Sequence, residues 1–198
     1  MSTFFATPES FEPKRKFRFL VYFSGLDGSN TYMVTKATKP SYELSGVTEH
    51  RILNHTFKFP GIVKWNDIEI SLIDAMEPNV GSRFYNVLRN MGYVNPVTSD
   101  NLAAGMTKRS STLALGEIKI LQLDGGSMDI PAKADLTFDG NPPSGVKWHE
   151  EWVLHNAFLK SIKWGDMDYS SEDIVTVDLG ITYDYAEYNV APNGVPVQ

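Results

Sequence analysis

Residues 175–185 alternate without a break: Val175, Val177, Leu179, Ile181, Tyr183 and Tyr185 are apolar or aromatic, while Thr176, Asp178, Gly180, Thr182 and Asp184 are small or polar. In an extended backbone successive side chains point to opposite sides, so this run has one apolar face and one polar, acidic face. A strand of that kind lays one face on a core and leaves the other wet, the habit of antiparallel sheet. Upstream, Trp152, Leu154, Phe158, Ile162 and Trp164 share one parity, with His155, Ser161 and Lys163 on the other. Residues 165–173 between the two runs are turn formers whose short side chains bond their own backbone. The expectation is a hairpin of two long strands. Its core is built by Trp152, Leu154, Phe158, Leu179 and Tyr183, and its wet face carries Asp178 and Asp184.

The rest of the chain is read around that hairpin. Pro8 and Pro13 mark residues 1–13 as an extended arm of the kind that docks on neighbours. Phe17, Phe19, Val21 and Phe23 alternate with Arg18, Leu20 and Tyr22, and residues 25–30 turn into a second strand over 32–38, which predicts a hairpin. Residues 42–59 hold further strands with a turn near Asn54 and His55, and Ile68, Ile70 and Leu72 form the apolar face of another. After Pro78 the period changes from two to 3.6: Val80, Phe84, Val87, Leu88 and Met91 make one stripe, with Asn79 as N-cap and Gly92 as stop, predicting one helix. Residues 93–111 read as loop, 115–123 as a strand, and 128–148 as an inserted flap rich in Pro and Gly.

Composition excludes several kinds of chemistry. There is no cysteine, so neither disulfides nor cysteine metal sites are available. No run approaches the roughly 18 apolar residues of a membrane span, and the N-terminus has the reverse order of a secretory signal. The net charge of −6 opposes wrapping DNA by phosphate neutralisation. The basic residues Lys14, Arg15, Lys16 and Arg18 are read as a solvated strand entry. His50, His55, His149 and His155 lack zinc spacing. Asp166, Asp168 and Ser170 open like a calcium loop, but Ser171 and Val177 stand where the sharp turn and bidentate ligand are needed. No nucleophile elbow, dinucleotide fingerprint or phosphate loop occurs. The sequence therefore predicts no catalytic, cofactor or metal residue.

One set of residues adds a family likeness. Trp152, Leu154, Asn156 to Phe158, Gly165, Asp166, Asp168 to Ser171, and Tyr183 to Tyr188 together resemble the tail tube proteins of contractile-tailed bacteriophages. The run of Pro60, Gly61, Trp65, Asn66 and Asp67 resembles the same family. The resemblance implies a structural virion protein, not an enzyme and without a cofactor, whose strands close with those of identical neighbours into hexameric rings that stack into the inner tail tube. The implied partners are further copies of itself and the tail sheath, tape measure and baseplate proteins, with DNA passing through the channel unbound; the implied location is the virion tail, assembled in the host cytoplasm.

The expected fold is mainly β, an antiparallel barrel or sandwich with one helix packed outside and long loops. The expected organisation is an arm (1–13), a β domain (14–188, with the insertion 128–148) and a tail (189–198). An acidic channel wall at Asp178 and Asp184 would let DNA slide past. The alternatives are the tube of a type VI or extracellular contractile injection system, a baseplate or terminator protein at a tube end, and, from another class, a small-ligand β-barrel.

Overall fold

The structure, a computed structural model, describes residues 13–26, 33–77, 79–97, 101, 105–123 and 148–190. Most of the arm, the turn between the first two strands, nearly all of the 128–148 insertion and most of the tail lie outside them. The described residues form twelve strands and two helices. One four-stranded sheet, the first, has the order β1 (Phe19–Phe23), β8 (Ile118–Leu123), β9 (Trp148–His155), β12 (Tyr185–Val190). The second has the order β10 (Phe158–Lys163), β11 (Thr176–Thr182), β7 (Ile68–Ile73), β2 (Val34–Ala37). All pairings are antiparallel. The architecture is a sandwich-like β fold without a closed barrel.

The predicted hairpin spans both sheets. Each of its long strands is broken once, so that β9 pairs with β12 in the first sheet and β10 with β11 in the second. The break falls at Asn156, whose φ of 55° lies in the left-handed region that Asn tolerates better than most residues. Opposite it the Asp184 amide donates to the His155 carbonyl at 3.1 Å. The corner changes which side chains face inward. Leu154 is fully buried, but beyond the break Ala157 and Leu159 take the core positions and Phe158 is only half-buried. A bulge between Leu159 and Ser161 then restores Ile162 to the core side. Trp152 is half-buried against the core, its ring 4.8 Å from that of Tyr188. In the other arm Val177, Leu179, Ile181 and Tyr183 are buried as the alternation requires. Val175 is exposed before the strand begins, and Tyr185, past the corner, lies exposed with its ring stacked on His155.

Two other expectations are corrected. The first two strands do not form a hairpin: β1 pairs with β8 and β2 with β7, so the connection crosses between sheets. There are also two helices rather than one. α1 (Val80–Asn90) matches its prediction, with Val80, Phe84 and Val87 buried and the Asn79 side chain accepting from the Ser82 amide at 2.6 Å. α2 (Lys108–Leu115) arises where a loop was expected, nucleated by a reciprocal cap in which Thr107 and Ser110 each bond the other's backbone N–H. Phe84 meets Phe23 edge to face at 6.0 Å, which seats α1 on the core.

Candidate assembly surface

Residues 42–65 leave the sandwich as a two-stranded ribbon. β3 (Tyr42–Ser45) pairs with β6 (Ile62–Trp65), and β4 (Thr48–Ile52) pairs with β5 (His55–Phe59), closing through Leu53 at φ 54°. At about 3.3 Å per residue the ribbon reaches roughly 35 Å. Its root is fixed by aromatic rings: Tyr42 packs edge-on to Trp65 at 5.4 Å, and Trp65 packs on Tyr183 at 5.9 Å. Midway, the ladder is interrupted at Gly46 and Gly61, where a Cβ on Gly61 would stand 1.7 Å from the Ser45 carbonyl oxygen. Every residue from 41 to 60 is exposed.

In the outer half of the ribbon the register sorts the side chains. His50, Ile52, His55, Phe57 and Phe59 share one face, and Glu49, Arg51, Thr56 and Lys58 the other, with Glu49 and Lys58 paired at 3.1 Å. Phe57 is 51% exposed and Phe59 is 55% exposed. A lone two-stranded ribbon is marginal in water, and this one leaves Ile52, Phe57 and Phe59 exposed together on one face.

The sheets supply further unfinished surface. In the second sheet β10 and β2 are the free edges. Since β10, β11, β7 and β2 alternate in direction, these two edges run antiparallel to each other. The edge of one copy can therefore continue the ladder of the next in the same antiparallel sense. The open face of this sheet is polar. Asp178 lies on it and accepts from the Ser71 hydroxyl at 2.6 Å. Glu69 is exposed beside it, Lys163 is opposite Asp178 in register, and Asp67 is paired with Lys160 and Thr182. Hydrogen bonds from Lys160 and Thr182 hold the Asp67 carboxyl below its ordinary range.

Asp184 is not on that face. It sits at the corner, where it accepts from Lys108 Nζ of α2 at 2.6 Å and from Asn156 Nδ2 at 2.9 Å. These contacts hold its carboxyl below the ordinary range. The sequence put Asp178 and Asp184 on one strand face; the corner between β11 and β12 separates them. The basic cluster near the start is also not simply a strand entry. It forms one wall of a cleft of about 550 Å³ lined by Lys14, Arg15, Lys16, Lys36, Lys39 and Glu150, with Phe19, Ile120 and Trp152 below. The run 14–16 was visible in the sequence, but nothing there links it to Lys36, Lys39 or Glu150.

Glu150 is the one acid in that wall. Its side chain is 5% exposed and receives Lys14 and Lys39 together, with the Tyr188 hydroxyl at 3.2 Å. Burial alone would raise its pKa, but the two lysine hydrogen bonds outweigh burial and lower it. A depressed carboxyl contributes stability that is present above its unfolded value, near 4.3, and lost as pH falls through the folded value. Glu150→Gln is therefore expected to lower the urea midpoint at pH 7 and to lose that deficit progressively below about pH 4. An equal deficit at pH 7 and pH 2.5 would show that the lysines contribute nothing.

Among the described residues there is no cluster of His, Asp and Glu able to hold a metal ion. No helix there is long and apolar enough to cross a membrane. The cleft is bounded by five cations and one buried acid among apolar and uncharged polar side chains, and among the described residues that line it there is no pairing of nucleophile and base.

No family model matches the sequence, and no curated protein matches it. Solved structures do match. A chain of the sheath–tube complex in the extended state of PVC, an extracellular contractile injection system, is 15% identical over 90% of this chain and 93% of its own, with a TM-score of 0.57. A chain of the PVC sheath/tube terminator in the extended state gives 0.60 at 15% identity over 91% and 99%. A chain of the 6-fold symmetrised baseplate of the anti-feeding prophage gives 0.58 at 15% identity over 92% and 99%. The fold is thus one shared with tube proteins of contractile injection systems. That is the fold family which the hairpin motifs had indicated.

Proposed function

We propose that this chain is the protomer of a hollow tube in a contractile, tail-like machine. The observation that carries the reading is the ribbon, which projects from the sandwich, is exposed at every position from 41 to 60 and presents Phe57 and Phe59 to solvent. Two antiparallel free edges on one sheet supply the lateral contact: edge pairing between copies closes a ring and removes the exposed edges. The ribbon supplies a heterologous contact between rings, which extends without limit into a filament. No catalytic role enters this reading.

In its finer form the tube is the inner tail tube of a contractile-tailed bacteriophage, built of hexameric rings, clad by a sheath, ended by a baseplate, measured by a tape-measure protein and conducting DNA into the host. The motif around residues 165–171 supports that form. The second form is the tube, or a tube-end protein, of an extracellular contractile injection system, supported by the likeness to chains of the PVC and anti-feeding prophage particles. Negative-stain microscopy of the purified protein tests what both share. Stacked rings with an open centre are expected; a monodisperse monomer at all concentrations would overturn the reading.

The open face of the second sheet is the proposed channel wall. Asp178 there stands opposite Lys163, Glu69 is exposed opposite Gly180, and Asp67 is neutralised by Lys160. With Lys36 opposite Ser71 at the β2 edge, three acids stand against three lysines, so the wall is polar without excess positive charge and a phosphate backbone gains little by binding it. Tubes of an Asp178→Lys variant are expected to retain DNA at low salt and release it at high salt, measured by co-sedimentation. Parent and variant tubes that retain DNA equally would remove Asp178 from the wall.

A further inference from the structure

The basic cleft has charge to spare. Glu150 binds both Lys14 and Lys39 with a single negative charge, and Arg15, Lys16 and Lys36 border the same opening and meet no carboxylate among the described residues. Beneath them the floor is apolar and aromatic, formed by Phe19, Ala37, Ile120 and Trp152. A site with a cationic rim over an aromatic floor fits a segment that is itself aromatic and acidic, rather than a bare anion.

The chain carries one such segment. The connection from β10 to β11, residues 164–175, is exposed at every position. It holds Asp166, Asp168, Glu172 and Asp173, none of which pairs with a cation among the described residues. Tyr169 projects with its ring wholly in solvent, and Met167 is 96% exposed. The chain does not bend this segment back onto its own cleft. The segment and the cleft also adjoin the two opposite free edges of one sheet: the segment follows β10, and Lys36 and Lys39 belong to or follow β2. Pairing β2 of one copy with β10 of the next would bring the next copy's segment to the side of the sandwich that carries the cleft.

We propose that the cleft bounded by Lys14, Arg15, Lys16, Lys36 and Lys39 is a socket for the 164–175 segment of a second copy of this chain. Tyr169 enters over Phe19 and Trp152, and Asp166, Glu172 and Asp173 meet Arg15, Lys16 and Lys36. This deepens the tube reading and rests on it, since it names the residues that specify which copy follows which. The contact is heterologous, because knob and socket are different surfaces, so one copy can use both at once. Being charge-led, it weakens as salt rises.

The absence of cysteine allows a direct test in the full chain. Asp173 and Lys36 are replaced together by cysteine, and the protein is oxidised mildly and run without reductant. A ladder of covalent dimers and higher multimers is expected; monomer alone overturns the proposal. A second pair of variants tests the charges. Arg15→Glu, Lys16→Glu and Lys36→Glu reverse the rim, and Asp166→Lys, Glu172→Lys and Asp173→Lys reverse the segment. All six positions are exposed, so circular dichroism should show both variants folded. Each set alone is expected to abolish sedimentable polymer, and the two sets combined in one chain to restore it. Tubes formed as well by either single set as by the parent would sink the socket while leaving the tube reading intact. A ladder from a protein that never forms tubes would sustain the docking and sink the tube reading. Failure of the combined set to recover would show that the rim holds something else, such as the chain's own residues 1–12, and would overturn the proposal.

Discussion

Leu179→Ala is expected to cost about 3 to 4 kcal/mol of protomer stability, read as a fall in the urea midpoint with an unchanged slope. Leu179 is the middle of β11, with Ile162 opposite it on β10 and Ile70 opposite it on β7. It has no exposed surface, and neither has Ile70. Removing three side-chain carbons from a site closed by strands on both sides leaves a cavity that the ladders cannot collapse without breaking register, so the loss lies towards the upper part of the usual range. Trp152→Ala makes the contrast. Its ring is half-buried at the cleft and against Tyr188, so water fills the vacated space and the cost is smaller. If the two variants melt together, the core does not lie where the alternation of β11 puts it.

What the sequence revealed and what it concealed divide along physical lines. The alternation from Val177 to Tyr183 was legible because a period of two has one interpretation when one face is buried. The helix stripe of Val80, Phe84 and Val87 was legible for the same reason at a period of 3.6, reinforced by the Asn79 cap. The corner was not. Period two continues through Asp184 and Tyr185 in the sequence, but the strand ends at Thr182, since the Asp184 amide turns to the His155 carbonyl and its carboxylate to Lys108. Both partners are tertiary. Asn156 was the available local sign, one of the few residues that accepts a left-handed backbone, and it stands where the parity of the first arm shifts. The second helix was hidden because its cap uses Ser110 at the third position, where Glu or Gln is the recognisable partner, and because Leu113 faces solvent and spoils the stripe. The cleft was beyond reach of any reading along the chain. Lys14, Lys39 and Glu150 meet only after two sheets have formed.

The ribbon was legible as strands but not as a surface. Strands were expected over residues 42–59 and were found, but apolar alternation cannot say whether a core or a partner covers the apolar face. Among the described residues nothing covers it. Removing the ribbon is accordingly expected to abolish polymerisation while sparing the fold. In the variant, residues 44–63 are replaced by an Asn-Gly turn, which joins Glu43 to Lys64 with the twist a two-residue hairpin needs. The root of Tyr42, Trp65 and Tyr183 is kept, so the sandwich end stays sealed. Because none of the removed side chains belongs to the buried core, the thermal midpoint should remain within a few degrees of the parent's, on the scale of about 1 kcal/mol. Assembly should respond far more steeply. Each Phe that a neighbour would bury is worth about 1.5 to 3 kcal/mol, and the loss recurs at every copy along the filament. Phe57→Ser with Phe59→Ser should reproduce the effect without shortening the chain, measured as the fraction sedimenting at high speed. Normal tubes from both variants would assign stacking to another surface; a large drop in thermal midpoint in the shortened chain would make the ribbon part of the protomer's own fold.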